Sequence, residues 1–265
     1  NCWYKHLYRR PDGSTQSEPP AGTHSFCRLL TLDSKTAKFV GKPTHFLSHA
    51  WSYRFEDIVG AVRAFDAQRV STGDQGTAYF WFDCFSLDQH AHNAQGSDWW
   101  STTFMAAIGM MGHTVMVLSP WNAPRPLTRS WCLWELFCTV ETGSKFTITL
   151  SPAEEHAFEE SLIRDFDAAL AAFAQINVED AQAGNESDRL MILDAARASK
   201  AGVAGLNNLA AAKLREWALH KARQYVSTLA QLDGSLCTER AVRAGWQVGA
   251  VLDQCGAHHE ARALL

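Results

Sequence analysis

The sequence predicts an α/β domain: a parallel sheet with helices on both faces, followed by an α-helical extension. Two observations carry that prediction. Short, nearly continuous apolar runs alternate with segments of helical spacing from Thr44 to Phe173. Runs of this kind suit strands buried on both faces, the usual condition of a parallel sheet covered by helices. After Ile176 the strand-like runs stop and alanine-rich helical spacing takes over.

Residues 1–43 carry two turn-rich stretches, Arg9-Arg10-Pro11-Asp12-Gly13-Ser14 and Glu18-Pro19-Pro20-Ala21-Gly22. They read as an extended leader with one short strand near Arg28–Leu32. The α/β domain spans 44–175. Its strands are expected at His45–Ser48, Tyr79–Asp83, Thr114–Ser119 and Phe146–Leu150, the third stopped by Pro120. Between them, Glu56–Arg69 places Ile58, Val62 and Phe65 on one helical face, and Trp99–Met111 and Ser130–Thr142 also read as helices. Gly143 suits the cap of the third. Ala153–Phe173 reads as one long acidic helix. Residues 176–235 form the helical extension, with helices at Asp188–Ser199 and Leu206–Leu229. Residues 236–265 resemble the start of a tetratricopeptide-type repeat, a helical hairpin that cannot bury its own face alone. A longer array, and a parent chain longer than the one beginning at Asn1, are therefore expected.

Composition narrows the function. The chain has 265 residues, with 24 Lys+Arg against 28 Asp+Glu and a net charge of −4. No basic field is available for nucleic acid, and no apolar run approaches the roughly 20 residues of a membrane span. Between Ser151 and Lys200 eleven acids face four bases, which reads as a solvated helix surface. The seven cysteines form no CxxC pair, so reduced, mostly buried thiols in a cytoplasmic protein are expected. Neither a GxGxxG nor a GxxxxGK[ST] loop occurs, and no cofactor is expected. His90-x-His92 with Cys84 fits no standard zinc spacing, so no metal is expected either.

In open α/β sheets, ligands bind beyond the carboxyl ends of the strands. Ser48-His49, Asp83 and Ser119 stand there. The most informative segment is Leu127–Val140, a helix apolar almost all round in which Glu135 is the only charge before Glu141. Trp131 and Glu135 lie at i and i+4 on one face. A carboxyl in such a helix is expected to be partly desolvated, with its pKa raised, as a catalytic group often requires. The alternative is a structural carboxylate that reaches water or pairs with Arg129 or Arg125.

Trp131-Cys132-Leu133-Trp134-Glu135-Leu136, after a strand ending Leu118-Ser119-Pro120, resembles the third-helix motif of Toll/interleukin-1 receptor (TIR) domains, particularly the plant type. His45-Phe46-Leu47-Ser48-His49 resembles the family's first strand, and Trp81-Phe82-Asp83 its second. The ordered set covers roughly Thr44 to Leu150. The segment Tyr79–Gln89 is also similar to the fungal heterokaryon-incompatibility domain. The resemblance implies a flavodoxin-like sheet and, in enzymatic members, cleavage of the nicotinamide–ribose bond of NAD+, with NAD+ as substrate. It assigns the catalytic carboxylate to Glu135 and the substrate crevice to Ser48, His49, Asp83 and an aromatic wall of Trp51 or Trp131. It also implies self-association, which the long loop Ser86–Trp100 suits, with protein partners reached through the helical repeats. Two features depart from the family. Ala50-Trp51 stands where enzymatic animal-type relatives carry arginines, and the loop after the second strand lacks the adaptor signature. Two functional readings follow: an NAD+ glycohydrolase in signalling or immunity, and a non-enzymatic module that assembles with partners or with itself.

Overall fold

The structure, a computed structural model, describes residues 25–88, 103–173, 177–232, 239–254 and 257–264. Strands β1 (His45–Ser48), β2 (Phe80–Trp81), β3 (His113–Val117) and β4 (Lys145–Thr149) form one sheet in the order β2-β1-β3-β4. All three pairings are parallel, and Phe46 stands opposite both Trp81 and Thr114. The helices are α1 (Phe26–Thr31), α2 (Phe55–Ser71), α3 (Asp83–Ser86), α4 (Phe104–Met111), α5 (Ser130–Glu141), α6 (Pro152–Arg164), α7 (Phe166–Phe173), α8 (Glu186–Ala198), α9 (Gly202–Leu232), α10 (Glu239–Gln254) and α11 (His258–Leu264).

Side-chain alternation along the strands decides the two layers. Leu47, Val115 and Val117 point to one face and pack with Ile58, Ala61 and Phe65 of α2. Phe46 and Met116 point to the other, where they join Phe104 and Ile108 of α4 and the apolar residues of α5 in the larger core. The expected burial of α5 is met: Cys132, Leu133, Trp134, Leu136, Phe137 and Cys138 are all buried. Gly143 ends this region with φ 66°, a left-handed conformation that favours glycine.

Several local expectations are corrected. The stretch Arg28–Leu32 is helical, not a strand, so the described end of the leader is not extended. Ser25 caps α1 by accepting from Arg28 N, and Phe26 meets Phe85 with ring centroids 5.2 Å apart. The second strand is two residues long, because the chain turns into α3 at Asp83 and Ser86 Oγ accepts from Phe82 N. The long acidic helix is divided at Asp165, whose φ of −164° and ψ of 86° re-aim the chain so that Phe166 is fully buried. The start of the Trp99–Met111 helix and most of the loop Ser86–Trp100 lie outside the described residues.

The extension is joined to the sheet domain by backbone hydrogen bonds. Ser130 N, opening α5, donates to Gln182 O, and Gln182 N donates to Thr128 O. The helical hairpin expected at the end of the chain is α10 and α11. Its apolar face (Ala241, Ala244, Val248, Val251, Leu252) is buried without further repeats, because α6, α7 and α9 pack against α10. Val242 and Trp246, at i and i+4 on the outer side, remain exposed. No helix among the described residues is long and apolar enough to cross a membrane.

Candidate functional site

Ser48 is the last residue of β1, and by alternation it shares the face of Phe46, the face that α5 covers. Its hydroxyl donates to Glu135 Oε2 at 2.5 Å. One turn further along α5, Thr139 Oγ1 donates to the Glu135 carbonyl at 2.6 Å and lies 2.7 Å from Thr114 Oγ1 of β3. A polar seam thus joins the sheet to an otherwise apolar helix, and Glu135 stands at its end nearest the strand termini.

Glu135 has no cation at ion-pair distance among the described residues, so the structural pairing with Arg129 or Arg125 is not formed. Arg125 instead donates to Ser52 Oγ at 3.2 Å. Burial pushes the Glu135 carboxyl up to about 8. The Ser48 hydrogen bond pulls the other way, the Asp83 charge raises it further, and Arg129 lowers it from a distance. Desolvation therefore dominates: in the resting protein near pH 7 Glu135 holds its proton.

His49 and Trp51 follow β1, and Asp83 opens α3 just beyond β2. These residues converge. Trp51 Nε1 donates to Asp83 Oδ2 at 2.5 Å, and His49 Nε2 lies 3.6 Å from Asp83 Oδ1. Burial lowers the His49 pKa more than the Asp83 charge and the Leu47 carbonyl raise it, so the imidazole is neutral. Trp51 is half exposed and forms the open side of the cluster.

Trp131 does not join them. Its indole N–H donates to Asp188 Oδ2 of α8 at 3.3 Å, and its ring meets Phe104 edge to face. Ser119, also at a strand end, is engaged: its backbone carbonyl and N–H both bond the Tyr53 hydroxyl, at 2.5 and 2.8 Å, and its Oγ donates to Glu154.

Sequence reasoning missed Tyr53 and Glu154, which brace the loop after β3. For Glu154 a signal was present. Ser151-Pro152-Ala153-Glu154 has capping-box spacing, yet here the glutamate turns to Trp121 N at 2.8 Å. Cys84, near His90 and His92 in the sequence, stands beside His49 and Asp83; the two later histidines lie outside the described residues. Cys132 is buried and donates to the His49 carbonyl at 3.4 Å. Burial drives its thiol pKa well above the ordinary value, so it belongs to the core.

Two clefts lie away from this cluster. One, of about 670 Å³, is lined by Arg69, Lys145, Phe146 and Trp217. The other, of about 380 Å³, is lined by Gln68, Ile148, Glu159 and Lys221. Both run along β4, the first between α2 and α9 and the second between α2 and α6. No family model, curated protein or solved structure matches the chain.

Proposed function

We propose that the chain is a TIR-like NAD+ glycohydrolase of a cytoplasmic signalling or defence protein, built on a flavodoxin-like sheet, with Glu135 as its catalytic carboxylate. The observation that carries the reading is a glutamate with no cationic partner among the described residues, oriented by Ser48 at the carboxyl end of β1. The strand order reverses between β1 and β3, which is where such sheets place ligands.

The raised pKa fits this chemistry through linkage. The nicotinamide ring of NAD+ is cationic, and a nearby positive charge favours the carboxylate. Substrate binding therefore expels the Glu135 proton and leaves an anion facing the ribose. Breaking the C–N bond sends both electrons to nicotinamide, which departs neutral. The fixed carboxylate stabilises the oxocarbenium ion left behind. A water then adds to the anomeric carbon and gives up a proton, for which Glu135 is a ready acceptor. Ser48 orients the carboxylate, while His49, Asp83 and Trp51 line the approach, Trp51 taking the aromatic role that Trp131 does not fill.

The exposed pair Val242 and Trp246 on α10 is the surface a protein partner would cover. The test of function is incubation of the chain with NAD+ at low and high protein concentration, with nicotinamide followed by chromatography. Release that rises more steeply than protein concentration fits a site completed by self-association. No release at any concentration would favour the second reading, a non-enzymatic interaction module. One observation supports that second reading: both clefts open along β4 rather than at Glu135.

A further inference from the structure

We propose that His49, Asp83 and Cys84 form a binding site for a divalent transition-metal ion of the zinc type. Their ligand atoms, an imidazole nitrogen, a carboxylate oxygen and a thiol sulfur, all lie within 4.8 Å of one another. This donor set suits zinc, and three protein ligands leave a fourth position open for water or a substrate oxygen.

The supporting groups are those a metal site needs. His49 Nε2 is the ring nitrogen that faces Asp83, 3.6 Å from Oδ1. Asp83 Oδ1 also accepts from Cys84 N at 2.7 Å, which holds that oxygen in place beside the imidazole. Two bonds of about 2.1 Å span 3.6 Å at an angle of roughly 120°, close to what a four-coordinate ion accepts. Trp51 Nε1 occupies Asp83 Oδ2, which turns Oδ1 towards His49. Ligating histidines and carboxylates are commonly fixed by such outer partners. Cys84 is exposed, with its sulfur within 4.8 Å of the other two ligand atoms. The site joins the ends of β1 and β2, and the inference does not depend on NAD+ cleavage.

The probes are Zn2+ alone, titrated calorimetrically into the reduced full chain, and Co2+ alone, followed by absorption. The expected result is one ion per chain and a sulfur-to-cobalt charge-transfer band in the near ultraviolet. Cys84→Ser should abolish that band and weaken Zn2+ binding by more than about 100-fold, beyond what loss of a supporting group costs. Asp83→Asn should weaken binding while leaving the band in whatever Co2+ still binds. Thermal melts in the absence of metal establish that both variants are folded. Failure of the folded wild-type chain to bind either ion would overturn the proposal. So would binding that survives unchanged in both variants, which would put the ion on other residues. Neither outcome alters the prediction for nicotinamide release, so the two readings fail separately.

Discussion

Replacing Glu135 by Gln should stabilise the protein at alkaline pH, and the pH at which the effect appears is set by the carboxyl's surroundings. Glutamine keeps an oxygen for the Ser48 hydroxyl but cannot ionise. Below about pH 4.5 the wild-type carboxyl is protonated in both the folded and unfolded chains, so the two proteins should melt alike. Above that pH the unfolded chain ionises while the folded one keeps its proton until about pH 8. Wild-type stability therefore falls as pH rises through this window. The full shift corresponds to on the order of 5 kcal/mol at 1.36 kcal/mol per unit. Glu135 is not wholly shielded from water, which reduces the expected gain to roughly 2–4 kcal/mol. At about 2–4 °C per kcal/mol for a chain of this size, that is roughly 5–15 °C in Tm. Thermal melts of both proteins from pH 4 to 9 read it directly. Taking the difference between the two cancels the buried histidines, whose depressed pKa values (His113 down to about 4) erode stability as pH falls. A variant less stable than wild type at pH 8 would refute the reasoning, because it would mean that Glu135 is ionised and paired.

Ser48→Ala removes the one hydrogen bond that lowers the Glu135 pKa, so the carboxyl should titrate at still higher pH, as read by carbon-13 NMR of labelled glutamate; a downward shift would contradict the assigned bond. Nicotinamide release at subsaturating NAD+ should rise with pH through about 8 as the free protein loses the Glu135 proton, and a flat profile from pH 6 to 9 would argue against this carboxylate as the acting group. Trp134 is buried and its indole N–H has no hydrogen-bond partner among the described residues, so Trp134→Phe should change stability by less than about 1 kcal/mol, or even raise it, as measured by urea unfolding. Trp134→Ala should cost about 3–5 kcal/mol in the same measurement, through the cavity it opens.

The parallel sheet was legible because its strands are apolar on both faces and each is separated from the next by a helical period. Glu135 was legible for a related reason: a lone charge in an apolar helix has to be accommodated somewhere. What escaped depends on tertiary partners. The run Arg28–Leu32 carries no periodicity to distinguish strand from helix, and Ser25 decides the matter as a cap. The division at Asp165 serves the burial of Phe166, which no local pattern encodes. Trp131 and Glu135 do share a helical face, yet the indole is drawn to Asp188, a residue 57 positions away in the chain. The bracing of the loop after β3 by Tyr53 spans 66 positions and is equally invisible to periodicity.

The most direct test of Glu135 as the catalytic carboxylate is the rate of nicotinamide release by wild type and Glu135→Gln, measured side by side at pH 8 on protein that melts cooperatively. Loss of one preorganised electrostatic group of this kind costs about 10²–10³ in rate, roughly 3–4 kcal/mol. The expected result is a variant that is more stable than wild type and slower by that factor. Equal release by a folded Glu135→Gln protein would contradict the assignment.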